Sequence, residues 1–313
     1  MDWQSRIGRR LRLKDLHTLQ TVAEIGSMAK ASQHLGLSQP AISKAVSDME
    51  HTLGAPLLDR SARGVELTEH GRVLVERTRI IFDEMKQGIK EIEHLTDPTQ
   101  GEVRIGITEP VTAVVSEIIS GLARRYPRIT YDITVGDTDM LAQRLRDRAL
   151  DVMLTRWNAL SQADDLAAEP LYASILAVVA GKTHPLAARK NLTLPDLMHE
   201  QWALPPPDAF LGRVTAGLFE QKRLPLPPSI VTTTSTLMRL NLMASGRFLS
   251  VLPTSMLRHR SYKPWLRALS VDLGDRGGVI AAITIKDRRR GGALKLFLQA
   301  CHAVRKDFEG QIA

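Results

Sequence analysis

Three observations predict an α/β chain with an N-terminal portion that is dominated by helix. Residues 13–95 carry apolar positions at helical spacing, interrupted once. Beyond a break at TDPTQGE (96–102), short apolar runs alternate with amphipathic helices in a βαβαβ order. That order implies a mostly parallel sheet covered by helices, and a second set of strands and helices follows, which implies two α/β units.

The helical portion begins with Leu16, Leu19 and Ala23, continues with Met28, Ala31 and Leu35, and ends with Ile42, Val46, Met49 and Leu53. The stretch GSMAKASQHLGLSQPAISKAVSDMEHTLG (26–54) links these segments. Gly36 can take the left-handed conformation that ends the second helix, and Ser38 is placed to cap the third. Pro40 falls in the first turn, where its missing N–H costs nothing. Two short helices joined this tightly have the pattern of a helix-turn-helix.

With Ile42, Val46 and Met49 turned inward, Ser38, Gln39, Pro40, Ala41, Ser43, Lys44 and Ser47 are left near the outward N-terminal end. Short and amide side chains suit base edges and phosphates, and Lys44 supplies the cation. The interruption APLLDRSARGVELT places Gly64 at a turn between two brief strands. Arg60 and Arg63 on that hairpin are placed as a wing would be, against flanking phosphate or the minor groove. A small domain that merely packs is the alternative; turn glycine, cap and polar tip coinciding speak against it.

From Thr68, a plausible N-cap, to about Leu95 the chain reads as one long helix of roughly 40 Å. Leu74, Ile81, Met85, Ile92 and Leu95 form a heptad seam with Thr78 and Gly88 as its weak positions. Such a stripe calls for a partner, a second copy or the helix's own domain. In the α/β half, strand VRIGIT, a helix from about 111 to 126, strand ITYDITV, a helix over 140–150 and strand DVMLT come first. SILAVVAG, a turn at LPDL, QWALP, a helix over 211–224, SIVTTT, a helix over 236–245 and FLSVLP follow. GGVIAAITIKD and the helix GGALKLFLQACHAV come last.

Composition bounds the function. The 313 residues are 43% hydrophobic, enough for two or three modest cores. Net charge is +8, which suggests a polyanionic partner. Yet residues 1–244 hold 29 basic and 29 acidic side chains, so the whole excess, 13 against 5, lies in 245–313. Charge alone does not locate a DNA face; the motif does. Cys301 is the only cysteine, which excludes an intramolecular disulfide and a cysteine-based zinc site. No run of about 18 apolar residues and no secretory leader is seen, so a cytoplasmic protein without a membrane segment is expected.

The stretch LKDLHTLQTVAEIGSMAKASQHLGLSQPAISKAVSDMEHTLGAPLLDRSARGVELTEHGR (13–72) resembles the LysR-type transcriptional regulators. SQPAISK, the helix end LG, LLDR and GVELTEHG carry the resemblance, which continues more loosely through the rest of the chain. It implies a winged helix-turn-helix at 1–67, a dimerisation helix at 68–96 and, at 97–313, an effector domain with a periplasmic-binding-protein fold. That domain would divide into subdomain I (about 101–172 plus 278–313) and subdomain II (about 173–277), hinged at two crossovers. Double-stranded DNA, a small-molecule effector and a homodimer or homotetramer are the implied partners, and no cofactor is. The leading segment 1–12, with Arg6, Arg9, Arg10 and Arg12, is longer than the family norm and is either a phosphate-contacting arm or a solvated tail.

In open α/β sheets ligands sit beyond the carboxyl ends of strands, against helix N-termini. Thr108 and Glu109 follow VRIGI, Thr155 and Arg156 follow DVML, and Thr233, Thr234, Ser235 and Thr236 open the helix after SIVT. Thr108, Glu109, Thr155, Arg156, Thr234, Ser235 and Thr236 are therefore the effector candidates. Plain capping is the alternative for the hydroxyls, and an internal ion pair for Arg156. Glu109 argues against a site tuned to a bare anion. A carboxylate-bearing or hydroxylated metabolite fits best.

Other classes fare worse. A solute-binding receptor predicts a signal peptide and no DNA-reading head. An enzyme needs a reactive constellation, but the nine histidines lack HExxH spacing and no nucleophile elbow, P-loop or GxGxxG is present. Cys301, beside Leu298 and Val304 at helical spacing, reads as core rather than nucleophile, and Met238 and Met243 also read as core. The run Asp287–Arg290 reads as a solvated loop, with a surface contact to DNA or RNA polymerase left open.

Overall fold

A computed structural model of the chain describes residues 10–61, 64–97, 99–157, 163–227, 229–274 and 278–308. It divides into two compact units, residues 1–89 and 90–313.

The first unit opens with α1 (Leu13–Ile25), α2 (Met28–Leu35) and α3 (Gln39–Leu53). Leu16, Leu19, Val22, Ala31, Ile42, Val46 and Met49 meet in one buried cluster, so the inward face expected of α3 is the face it buries. Gly36 is left-handed at φ 66°, and the Ser38 hydroxyl accepts the Ala41 N–H at 3.3 Å, so both punctuation marks act as the sequence implies. The antiparallel strands β1 (Leu58–Ser61) and β2 (Gly64–Leu67) form the wing, with Leu58 opposite Leu67.

Helix α4 (Glu69–Thr96) runs from the first unit into the second. Thr68 caps it by accepting the Gly71 N–H at 3.0 Å while donating to the Pro56 carbonyl at 2.7 Å. Gly71 is required there: a Cβ would lie 2.0 Å from the Leu57 carbonyl oxygen. The expected seam splits. Thr78 is fully buried and Leu74 packs against the first unit's core, whereas Ile81, Met85, Ile92 and Leu95 are exposed, Leu95 at 83%.

The second unit holds two five-stranded sheets. One has the order β4–β3–β5–β12–β6, built from β3 (Gln100–Ile107), β4 (Arg128–Val135), β5 (Val152–Arg156), β6 (Leu166–Ser174) and β12 (Gly278–Ile285). Helices α5 (Thr112–Arg125), α6 (Thr138–Arg146) and α10 (Gly292–Phe308) cover it, with Val103, Ile105, Val115, Ile118, Phe297 and Cys301 in one core and Leu141, Leu145 and Met153 in another.

The other sheet has the order β11–β7–β10–β8–β9, from β7 (Leu176–Gly181), β8 (Gln201–Leu204), β9 (Ser229–Thr232), β10 (Phe248–Pro253) and β11 (Leu266–Ala268). Helices α7 (Phe210–Gln221), α8 (Thr236–Ala244) and α9 (Thr254–Arg258) belong to it. Trp202, Phe219 and Leu249 lie in one of its cores; Leu240, Met243 and Leu252 lie in the other.

The mostly parallel sheet expected for the first set of strands is found, and each sheet also carries one strand that runs the other way, β12 in the first and β7 in the second. Strands β3, β4 and β5 are parallel, but β12 returns antiparallel to both β5 and β6, and β7 pairs antiparallel with β10 and β11. The late strand must enter the first sheet from the opposite end, because the chain comes back from the second.

Two smaller readings also change. Met243 is buried, but Met238 is 51% exposed on the first turn of α8. The run after β12 is not a solvated loop: Arg288 is buried against Asp151 at 3.1 Å, Arg290 pairs with Glu169, and Arg289 reaches Glu91 at 3.3 Å. Cys301 is core as expected, and burial pushes its thiol up to about 12. Among the described residues, no helix is long and apolar enough to cross a membrane.

Candidate nucleic-acid interface and ligand cleft

On α3 one face of the N-terminal half stands clear of the core. Ser38, Gln39, Pro40, Ala41, Lys44 and Ser47 are exposed, and Ser43 is half-buried. Arg60 reaches back from β1 to donate to the Ser43 hydroxyl at 3.1 Å, which ties the wing to the third helix. Helix and wing thus form one polar surface with two cations, Lys44 and Arg60. Arg63, Arg6 and Arg9 lie outside the described residues. The N-termini of helices are suited to phosphate, and an exposed α3 start with short side chains lets the backbone approach a groove.

The second site lies inside the second unit, between its two sheets. A cavity of about 390 Å³ opens there, within the range of small-molecule sites. Thr108, Glu109, Thr155, Arg156, Thr234 and Thr236 all line it, so six of the seven effector candidates converge from three strand ends. Ser235 does not line it: its hydroxyl accepts the Met238 N–H at 3.2 Å and caps α8. That residue is a cap in this structure, a role that chemistry and position alone could not separate from ligand contact.

Several of the remaining candidates have a defined neighbour. Thr155 is buried at the end of β5 and shares a 2.9 Å hydrogen bond with Thr138. Arg156 donates to the Ser174 hydroxyl at 3.4 Å, and burial pulls its guanidinium below the ordinary arginine range. Glu109 reaches across the cleft to accept the Thr236 N–H at 2.9 Å, so it bridges the two sheets' subdomains.

The residue that sequence reasoning missed is Arg239. It is 2% exposed, lines the cavity, and donates to Thr236 Oγ1 at 2.8 Å, Ser250 Oγ at 3.4 Å and the Val251 carbonyl at 3.3 Å. Burial lowers it to about 10, partly offset by the nearby Glu109 carboxylate, and its buried Nε has no hydrogen-bond partner. An arginine inside the largely apolar helix TLMRLNLMA was the available signal. Asp137 and Thr138 were missed as well; Asp137 caps α6 by accepting the Met140 N–H at 2.8 Å and lines the cavity. Among the described residues, no cluster of metal-ligating side chains is found.

A winged helix-turn-helix whose polar helix end is exposed, followed by a two-sheet domain with a cleft, defines a DNA-binding transcription regulator with a ligand-binding domain. The model for the bacterial regulatory helix-turn-helix protein, lysR family, matches residues 13–72, and that for the LysR substrate binding domain matches residues 96–306. The transcriptional regulator TdcA of Escherichia coli K12 is 30% identical over 77% of each chain. The chain belongs to the LysR family of transcriptional regulators.

Solved structures share its fold. A full-length OxyR variant from Pseudomonas aeruginosa superposes with a TM-score of 0.63 at 21% identity, covering 93% of this chain and 94% of that one. CbnR complexed with its target DNA superposes with a TM-score of 0.52 at 22% identity, covering 94% of this chain and all of that one. The solute-binding receptor alternative has no support beside these matches.

Proposed function

We propose that this regulator reads its operator with the N-terminal half of α3, as a homodimer or homotetramer paired through α4, and is switched by a small molecule in the second unit's cleft. The observation that carries the reading is the exposure of Gln39, Ala41, Lys44 and Ser47 on α3 beside the Arg60–Ser43 tie. Ser38 and Pro40 shape the helix start there, and Arg63 is a further candidate for phosphate contact. The working division is a DNA-binding domain at 1–67, a pairing helix at 68–96 and an effector domain at 97–313. TdcA, named as a transcriptional regulator, supports a non-catalytic role, and a DNA partner supports a cytoplasmic location. The structure of CbnR with its target DNA supports duplex DNA as the partner.

The test is a salt series of gel shifts on operator fragments. Lys44→Ala weakens binding to all sequences and lowers the salt dependence by about one unit of slope. Gln39→Ala and Ser43→Ala instead change preference among sequences, each by about 1–3 kcal/mol at the affected base. Three variants that bind like the wild type would remove α3 from the interface.

A further inference from the structure

Taking the cleft to be the effector site, we propose that Glu109 is an internal ligand, and that the effector is a small monocarboxylic acid with a largely apolar body that displaces it. The Glu109 carboxylate sits where an incoming anion would bind, at the N-terminus of the nine-residue α8, accepting the Thr236 N–H at 2.9 Å through one oxygen. Glu109 stands just beyond β3 of one sheet, and α8 belongs to the other, so this contact spans the cleft from within.

The seat has more donors than Glu109 uses. Arg239 binds Thr236 Oγ1 at 2.8 Å, which brings its guanidinium next to the same helix start, yet its buried Nε has no hydrogen-bond partner. A buried guanidinium group left short of an acceptor is costly, and a charge-assisted bond to a carboxylate is the strong way to complete it. A free acid, not tethered to β3, can present one oxygen to the Thr236 N–H and the other to Arg239. It gains a bond that Glu109 lacks, and the half-buried Glu109 side chain can turn to solvent.

Charge and shape set the class. Arg239 and Arg156 line the cavity against Glu109 and Asp137, so the walls are balanced and a second negative charge on the ligand would be unopposed. Pro110, Leu211, Pro253 and Ile280 help make most of the remaining wall apolar, with threonine and serine hydroxyls set into it. One carboxylate on a hydrocarbon ring or chain matches both features.

The probe is cyclohexanecarboxylate, with its neutral amide as control, titrated calorimetrically into the full-length protein. The acid binds the wild type and the amide does not. Glu109→Ala binds the acid more tightly, by about fivefold or more, because the competitor is gone. Amide exchange over residues 233–238 speeds up in Glu109→Ala and slows again when the acid is added. Equal or weaker binding by Glu109→Ala, unchanged exchange, an amide that binds as well as the acid, or an acid that binds neither protein would each overturn the proposal. Ala209→Trp, which fills the cavity, separates the two layers. If it leaves acid binding intact, the cleft is not the site. If it abolishes binding while Glu109→Ala changes nothing, only the displacement is wrong.

Discussion

Asp151 is nearly buried between two guanidinium groups. Its Oδ1 accepts from Arg104 at 2.7 Å and Arg288 at 3.1 Å, and its Oδ2 accepts the Arg104 N–H at 2.9 Å. Burial alone would raise its pKa, but the Arg104 bonds and the Arg288 charge hold it below the ordinary range. A folded-state value under the unfolded one gives stability that is present above about pH 4 and is lost as pH falls through the folded value. Asp151→Ala leaves two cations uncompensated and costs about 3–5 kcal/mol, read from urea unfolding at pH 7. The same titration repeated toward pH 3 shows the gap between variant and wild type narrowing. None of this was legible beforehand: the partners lie 47 and 137 residues away, and Arg288 looked like part of a solvated run. Arg239 was hidden for the same reason, since its burial depends on β10 folding against α8.

At the scale of the element, α4 carries the clearest unfinished business. Ile81, Met85, Ile89, Ile92 and Leu95 are exposed along it, and burying each would contribute about 1.5–3 kcal/mol. Met85→Lys combined with Ile92→Lys should weaken self-association at least about a hundredfold in sedimentation experiments, with the helical circular-dichroism signal unchanged. An unchanged association constant would move pairing to another surface. The heptad pattern was readable in the sequence, but not which surface takes each position. Thr78 and Leu74 satisfy the same period as Met85 and Ile92, yet they pack against the first unit. Strand β6 was missed for a plainer reason. LAAEPLYAS carries Pro170 in its middle, and the ladder to β12 slips there, pairing Ile280 with Tyr172 and Ala281 with Pro170. A proline at such an irregularity loses no ladder bond, so the usual penalty against a strand does not apply.

For the whole molecule, the sequence order of helix-turn-helix, long helix and two α/β sets was legible because periodicity survives without tertiary knowledge. The six cleft candidates were legible because strand ends and helix starts meet in this architecture. What was not legible was the return path, which sets β12 antiparallel into an otherwise parallel first sheet. Two crossovers, near 174 and between 268 and 278, join the sheets, so closure around a ligand alters both halves together. A ligand that prefers one arrangement shifts the balance by its differential affinity, about 1–3 kcal/mol. Footprinting on the operator with and without a bound effector should show altered protection or bending; an unchanged pattern with a bound, active effector would disconnect the cleft from the DNA heads.

The placement of β12 also dictates a timetable at the ribosome. That strand lies between β5 and β6, so the first sheet has a gap between those two strands until residues 278–285 emerge. During that interval the nascent chain presents two open strand edges, and a premature stop before residue 278 would leave them open for good, a standing invitation to aggregate. The second sheet needs no such late arrival and can be complete first.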